Sequence, residues 1–101
     1  MRTVMVRYKV NPERAQENER LVKAVYEELQ RSAPAGLHYA TFRLADGVSF
    51  VHVASSETAD GHNPLRDVKA FAEFQKDIGE RCAEPPVTSE LHEVGSFHFW
   101  Q

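Results

Sequence analysis

Cysteine is almost absent from this chain of 101 residues, which contains Cys82 alone. One thiol can form neither an intrachain disulfide nor a cysteine-rich metal site, and this usage is typical of proteins from a reducing compartment. No apolar run is long enough for a signal peptide or a membrane span, because the first strand-like stretch alternates apolar and polar residues. We therefore expect a cytoplasmic protein that does not bind membranes.

An excess of positive charge is also missing. Lys and Arg together number 12 against 15 Asp and Glu, which gives a net charge of −3. Proteins that bind nucleic acids or anionic membranes usually present a basic surface, so neither partner is expected. A chain of this length forms one domain, residues 1–101, whose core is small enough that association with a second copy would add useful buried area.

The strongest local pattern is a hairpin over residues 38–55, in which two alternating runs meet at Asp46-Gly47. Asp-Gly between such runs favours a two-residue type I′ turn, because glycine adopts positive φ without steric cost. This turn would place Ala40 opposite Val53. A loop of three or five residues would shift the pairing by one and exchange the two faces of the hairpin.

The two faces of this hairpin differ in composition. The apolar face, which we expect beneath the helices, consists of Ala40, Phe42, Leu44, Val51 and Val53. The mixed face consists of Tyr39, Thr41, Arg43, Phe50, His52 and Ala54. Arginine together with aromatic residues is typical of protein interfaces. We therefore predict that the protein pairs with a second copy of itself through an interface of Arg7, Tyr39, Arg43, Phe50 and His52.

The remaining elements complete a β-α-β-β-α-β order. The predicted elements are a strand over residues 3–10, a helix from 11 to 34, the hairpin over 38–55, a helix from 63 to 82 and a strand over 87–100. Asn-Pro pairs at positions 11 and 63 mark the helix starts, since Asn caps free N–H groups and Pro fits the first turn. Right-handed crossovers arrange this order into an α+β, ferredoxin-like fold, with a four-stranded antiparallel sheet and two helices on one face.

Two stretches carry a resemblance to a known family. They are residues 50–55, Phe-Val-His-Val-Ala-Ser, and residues 70–74, Ala-Phe-Ala-Glu-Phe. With the βαββαβ order, they make the chain similar to the antibiotic biosynthesis monooxygenase-like domains of the dimeric α/β-barrel superfamily. The resemblance implies a homodimer with a barrel between two sheets, and a pocket between helices and sheet in each subunit. The superfamily includes cofactor-free oxygenases that act on polyphenolic substrates, and we expect no cofactor here.

The haem-degrading branch of the superfamily carries an asparagine on the first strand, a tryptophan near the third strand and a histidine on the second helix. In this chain the first strand offers Arg7 and Tyr8, the single tryptophan is Trp100, and residues 65–82 contain no histidine. Haem degradation is therefore not expected. Many oxygenase-like members carry a histidine just before the second helix. The resemblance places His62 there, as a general base near neutral pH.

A substrate pocket between the helices and the sheet would be lined by Tyr8, His38, Phe42, Phe71 and Phe74. Aromatic residues at these spacings are also ordinary core residues, and a loop histidine such as His62 is also often simply solvated. No metal site is expected. His92 and His98 share a predicted strand face, but six residues separate them by about 20 Å.

Two functions remain open. The first is a cofactor-independent monooxygenase-like enzyme that acts on an aromatic or polyketide-type small molecule, which the resemblance implies. The second is a noncatalytic dimer that binds a small ligand or a protein partner, because no convergent pair of acid and base is evident in the sequence. A shared fold does not decide between them, since one fold supports many functions.

Overall fold

A computed structural model describes residues 2–57 and 62–99 of the chain. The strands are β1 (Arg2–Val10), β2 (Leu37–Arg43), β3 (Ser49–Ser56) and β4 (Cys82–Leu91). The helices are α1 (Ala15–Ser32), α2 (Lys69–Gln75) and the one-turn α3 (Ile78–Arg81), with 3-10 turns at Pro12–Arg14 and Pro64–Asp67. The strands form an antiparallel sheet in the order β2-β3-β1-β4, which confirms the predicted ferredoxin-like α+β arrangement.

Helix α1 corresponds to the predicted first helix, but the predicted first turn is the separate 3-10 turn Pro12–Arg14. Its buried residues recur every three or four positions along one side, and they are Ala15, Asn18, Val22 and Val25. The helix ends where Ala33 adopts a φ of 42° and its backbone N–H donates to the Leu29 carbonyl over 2.8 Å. No helix within the described ranges is long and apolar enough to cross a membrane.

The hairpin has the predicted register but a different loop. Ala40 pairs with Val53 as expected, while a hydrogen bond from the Leu44 N–H to the Ser49 carbonyl closes a loop of four residues instead of two. Asp46 lacks the positive φ of a type I′ turn. Its carboxylate accepts from the Ser49 hydroxyl and from two backbone N–H groups, which lower its pKa to about 2. Both loops contain an even number of residues, so the pairing is unchanged.

The helices cover the mixed face of the hairpin and leave its apolar face open. Tyr8 pairs with Phe50 across β1 and β3, and both side chains are buried beneath the helices. The other hairpin residues on this covered face are Tyr39, Thr41, Arg43, His52 and Ala54. The opposite, open face includes Arg7, Phe42, Val51 and Val87. The prediction that the apolar face lies under the helices is therefore wrong.

Hydrogen bonding explains why polar residues occupy the covered face. Burial of an imidazole or a hydroxyl is strongly unfavourable only when the group lacks a partner. His52, Tyr39 and Thr41 are partners of one another there. Phe42, by contrast, is 51% exposed on the open face. Alternation therefore identified which residues share a face, but not which face the helices cover.

The second helical region is divided, whereas the sequence predicts one continuous helix from 63 to 82. Asp77, with a φ of 61°, separates α2 from α3. Arg81 compensates for this break, because its guanidinium donates to the carbonyls of Phe74 and Lys76 over 2.6 and 3.1 Å. These carbonyls end α2 and have no partner within it.

The start of α2 is held from α1. The Glu28 carboxylate accepts from the backbone N–H groups of Ala70 and Lys69 over 2.9 and 3.0 Å. Free N–H groups at a helix start favour a negative charge, and the bond from Ala70 in particular holds the pKa of the Glu28 carboxyl below its usual value. Side chains of other elements therefore hold both ends of α2.

Strand β4 begins and ends earlier than predicted. The sequence predicts a strand over residues 87–100, but β4 is Cys82–Leu91 and the described residues 92–99 form no strand. Trp100 lies outside the described residues. Pro85 and Pro86 lie inside β4, which tolerates them because it is an edge strand that pairs only with β1. The register with β1 shifts opposite these prolines.

Gly36 is predicted to resist substitution because of its backbone conformation and its close neighbour. It has a φ of +76°, and a Cβ there would lie 2.7 Å from the backbone oxygen of Glu57. We expect Gly36→Ala to lower the free energy of unfolding by about 1–3 kcal/mol, measured by urea denaturation. Gly79→Ala is the matched control, because a Cβ at Gly79 meets nothing within 4 Å. Equal stability of the two variants would contradict the strain at Gly36.

Candidate active site

A cavity of about 580 Å³ lies between the covered face of the sheet and α2. Aromatic rings form much of its wall, and they are Tyr8, Tyr39, Phe71 and Phe74. The centroids of Tyr8 and Phe74 are 6.2 Å apart, and Phe71 meets Tyr39 edge-on at 6.4 Å. A mostly apolar cavity of this volume is typical of a site for a small organic molecule.

His52 of β3 lines the cavity and is hydrogen bonded on both ring nitrogens. Nε2 lies 2.8 Å from the Tyr8 hydroxyl. Nδ1 lies 2.6 Å from the Tyr39 hydroxyl and 3.0 Å from the Thr41 hydroxyl. The residue is only 5% exposed, and burial lowers its pKa to about 4. The imidazole is therefore neutral at physiological pH.

The network around His52 continues into α1 and α3. Asn18 donates through Nδ2 to the Tyr8 hydroxyl over 2.8 Å, and its Oδ1 accepts from Nε of Arg81 over 3.2 Å. Because arginine can only donate, Arg81 fixes the orientation of the amide and makes Asn18 a donor to Tyr8. Asn18 and Arg81 are both fully buried, so the loss of either would leave its partners without hydrogen bonds at considerable cost.

The neutral state of His52 decides where the tyrosine protons point. A neutral imidazole has one N–H and one acceptor nitrogen, so it cannot accept from hydroxyls on both sides. The Tyr8 hydroxyl already accepts from Asn18, and it satisfies its own proton best by donating to Nε2. The Nδ1–H group then donates to the oxygen of Tyr39. The Tyr39 hydroxyl lines the cavity, and its proton can be donated either to the neighbouring Thr41 hydroxyl or to a ligand oxygen in the cavity.

Both tyrosines keep their protons at neutral pH. Burial raises the pKa of Tyr8 and of Tyr39 well above the ordinary phenol value. Tyr26 of α1 supports the second ring, since it stacks on Tyr39 with centroids 5.2 Å apart and shares a hydrogen bond of 2.7 Å with Thr41. The cavity wall therefore offers a positioned, neutral O–H donor, the type of group that stabilises negative charge developing on a ligand oxygen.

The residues before α2 form another part of the wall. Asn63 and Arg66 line the cavity, and Arg66 is exposed. His62, the residue predicted as a general base, is exposed and lies outside the cavity lining. Its Nε2 lies 2.8 Å from a carboxylate oxygen of Asp67. The catalytic role of His62 stays a prediction.

Three of the five residues predicted to bind a substrate are brought together. Tyr8, Phe71 and Phe74 line the cavity. His38 and Phe42 do not, because they alternate along β2 with the residues of the covered face. Their predicted position beneath the helices is wrong for the same reason as that of the apolar hairpin face.

Most of the residues predicted at a dimer interface lie on the covered face of the sheet instead. Tyr39 and His52 line the cavity, and Phe50 is buried with its ring stacked on that of Tyr8. The Arg43 guanidinium approaches α1, where it bonds a carboxylate oxygen of Glu19 over 3.2 Å. Of these five residues, Arg7 alone lies on the open face. The placement predicted for the other four is wrong.

Sequence reasoning missed two parts of the network, Asn18 and Arg81. Asn18 lies in the apolar stripe of α1, and a buried amide requires hydrogen-bond partners, so its position was a detectable signal. Arg81 gave no such signal, because its bonds depend on the break between α2 and α3. Within residues 2–57 and 62–99, no three His, Cys, Asp or Glu side chains group as metal ligands.

Comparison with known proteins finds similarity in structure. No family model matches the chain, and no curated protein matches it. A solved structure provisionally named as an antibiotic biosynthesis monooxygenase from Bordetella bronchiseptica is 27% identical, covers 92% of this chain and 96% of its own, and superposes with a TM-score of 0.64. A similarly named protein from Caulobacter crescentus CB15 is 23% identical over 93% of this chain and 90% of its own, with a TM-score of 0.70.

A third solved structure, named antibiotic biosynthesis monooxygenase, is 16% identical to this chain. It covers 94% of this chain and 100% of its own, with a TM-score of 0.73. The shared names and the nearly complete coverage agree with the resemblance carried by residues 50–55 and 70–74. The chain therefore has the fold of these antibiotic biosynthesis monooxygenase-like structures.

Proposed function

We propose that this protein is a cofactor-independent monooxygenase-like enzyme that oxidises an aromatic or polyketide-type small molecule in the cavity under α2. The observation that carries the proposal is the Tyr39 hydroxyl. This hydroxyl lines an aromatic cavity, and the hydrogen bond between its oxygen and His52 holds it there as a donor for a ligand. The fold and the names of the similar structures favour the same chemistry.

The reaction requires a substrate that becomes electron-rich when it loses a proton. In an aromatic ketone whose activated CH₂ group is conjugated to the carbonyl through the rings, Tyr39 would donate to the carbonyl oxygen and stabilise the enolate as the C–H proton leaves to water. The enolate then transfers electrons directly to O₂. One oxygen atom replaces the two hydrogens of the CH₂ group to give a second carbonyl, and the other leaves as water. Substrate and O₂ therefore balance without a cofactor.

A noncatalytic ligand-binding dimer is the second candidate. It is favoured by the absence of carboxylates among the described residues that line the cavity, which leaves no acid and base pair beside the aromatic wall. Such a protein would bind aromatic molecules without consuming O₂. Oxygen uptake therefore separates the two candidates.

We further propose that the protein acts as a homodimer through the open face of the sheet. Phe42, Val51, Arg7 and Val87 form a row across the four strands on this face. Phe42 is 51% and Val87 is 63% exposed. Exposed apolar side chains beside an arginine are typical of protein interfaces, and a second copy supplies the same surface.

The Tyr39 donor predicts a specific loss of activity. We expect Tyr39→Phe to lower the rate of anthrone oxidation to anthraquinone by about 10²-fold, because one donor to the developing oxyanion is removed. The rate is measured as O₂ uptake and anthraquinone formation, which should be equal. Tyr26→Phe is the matched control, since it removes a phenol hydroxyl one ring away that does not line the cavity.

Equal losses in Tyr39→Phe and Tyr26→Phe would contradict the assignment of the donor. Absence of O₂ uptake by the wild-type protein, together with tight binding of anthrone, would favour the noncatalytic candidate. His62→Ala is measured alongside, because the resemblance implies a general base there. A larger loss in His62→Ala than in Tyr39→Phe would assign the reaction to the loop before α2.

The neutral state of His52 predicts a loss of stability in acid. Its folded pKa of about 4 lies below the ordinary value of 6.5, so protonation favours the unfolded chain. The stabilisation is complete above about pH 6.5 and is lost as the pH falls toward 4, by about 3 kcal/mol in all. We expect urea denaturation of the wild type and of His52→Gln to give free energies that converge over this range. His92→Gln, which removes an exposed histidine, is the control, and its free energy of unfolding should depend on pH as that of the wild type does. If the free energies of wild type and His52→Gln instead differed by the same amount at every pH, burial of a neutral imidazole would be contradicted.

The open-face dimer predicts that a charge at Phe42 weakens association. We expect Phe42→Asp to raise the dimer dissociation constant at least about tenfold, because a carboxylate would be buried against the partner. Sedimentation velocity over a concentration series measures this constant. Ala24→Asp, an exposed change on α1, should leave it unaltered. A wild-type monomer at all concentrations would contradict the dimer.

A further inference from the structure

Arg66 is the single ionised side chain among the described residues that line the cavity. The other polar groups of the lining are the neutral His52, two protonated tyrosines, the amides of Asn63 and Gln75, and the Thr88 hydroxyl. The remaining lining residues are apolar. The described lining thus carries one positive charge and no negative charge.

The Arg66 backbone is held in place, while its guanidinium is available. Within the 3-10 turn, the Arg66 N–H donates to the Asn63 carbonyl over 3.0 Å, and Asn63 Oδ1 accepts from the Leu65 N–H, also over 3.0 Å. Leu65 is buried and anchors the turn in the core. The backbone of such a turn needs little further ordering when a ligand binds, so the ordering cost is confined to the Arg66 side chain.

No described carboxylate neutralises Arg66. The ion pairs of the described residues do not include it, and the carboxylate of its neighbour Asp67 lies against His62 at 2.8 Å. An arginine at the wall of an aromatic cavity, with no acidic partner in the described part of the chain, is suited to an anionic oxygen group, because its planar N–H donors match a carboxylate in shape and charge.

We infer that the cavity selects an aromatic ligand that carries one anionic oxygen group, a carboxylate or a phenolate, which Arg66 binds while the ring packs among Tyr39, Phe71 and Phe74. The inference concerns the cavity of the proposed monooxygenase-like activity and rests on that proposal for the identity of the substrate site. The anion and the Tyr39 hydroxyl would contact different parts of the ligand. Arg66 thereby determines which aromatic molecules bind and in which direction.

Binding of a charged and a neutral probe of the same shape tests this inference. We use 2-naphthoate and 2-naphthamide, with calorimetric titration of the full-length protein at low ionic strength. The wild type is expected to bind naphthoate about three- to tenfold more tightly than naphthamide, the range of a hydrogen bond to a charged group at a partly exposed site. A third probe, 6-hydroxy-2-naphthamide above its phenol pKa, separates a phenolate from a carboxylate.

The variants assign the preference to one side chain. Arg66→Gln should bind both naphthalene probes equally, and Arg66→Glu should prefer the amide. Lys69→Gln is the matched control, because it removes the same charge from a neighbouring exposed residue outside the lining, and it should keep the wild-type preference. Circular dichroism confirms that each variant is folded.

Three results would overturn the inference. They are equal affinity of the wild type for both probes, a preference that survives in Arg66→Gln, and an equal loss of preference in Lys69→Gln. None of them depends on turnover. Charge-selective binding of the naphthalene probes by a protein that consumes no O₂ with anthrone would therefore refute the proposed oxidation and leave the ligand assignment intact.

Discussion

A neutral histidine with hydrogen bonds on both ring nitrogens connects the central elements of this structure. Through the hydroxyls of Tyr8 and Tyr39, His52 links the three strands β1, β2 and β3, and Asn18 extends the connection to α1. Each of these bonds contributes only about 1 kcal/mol, but a buried group left without its partner costs more. The network therefore favours one strand register and one helix position over the alternatives, in a way that an apolar core would not.

The same network explains what could be predicted from the sequence. Alternation and turn composition were sufficient for the order of the elements, the sheet topology and the pairing of Ala40 with Val53. They were not sufficient to decide which hairpin face is covered. His52 and Tyr39 look like surface residues when judged by polarity alone, and they become core residues because their hydrogen-bond partners arrive from other elements.

The region after the hairpin was harder to predict for a related reason. The periodicity of residues 65–82 favours one long helix, and Asp77 carries no strong signal for the left-handed conformation that it adopts. The break is stabilised by Arg81, whose hydrogen bonds are formed only in the folded chain. The two prolines of β4 led to a predicted strand that starts too late, at residue 87. They are tolerated inside β4 because it is an edge strand, and the sequence alone did not show which strand lies at the edge.

The capping of α2 at both ends has a consequence for ligand exchange. Two hydrogen bonds to Glu28 and two from Arg81 fix this helix over the cavity. Lifting α2 would break all four hydrogen bonds, so the helix is a poor lid. The cavity instead reaches solvent beside Arg66 and Gln75, two lining residues that are exposed, so a ligand can enter without movement of the backbone. The cavity is therefore preformed, and little binding free energy is spent on ordering the protein around its ligand.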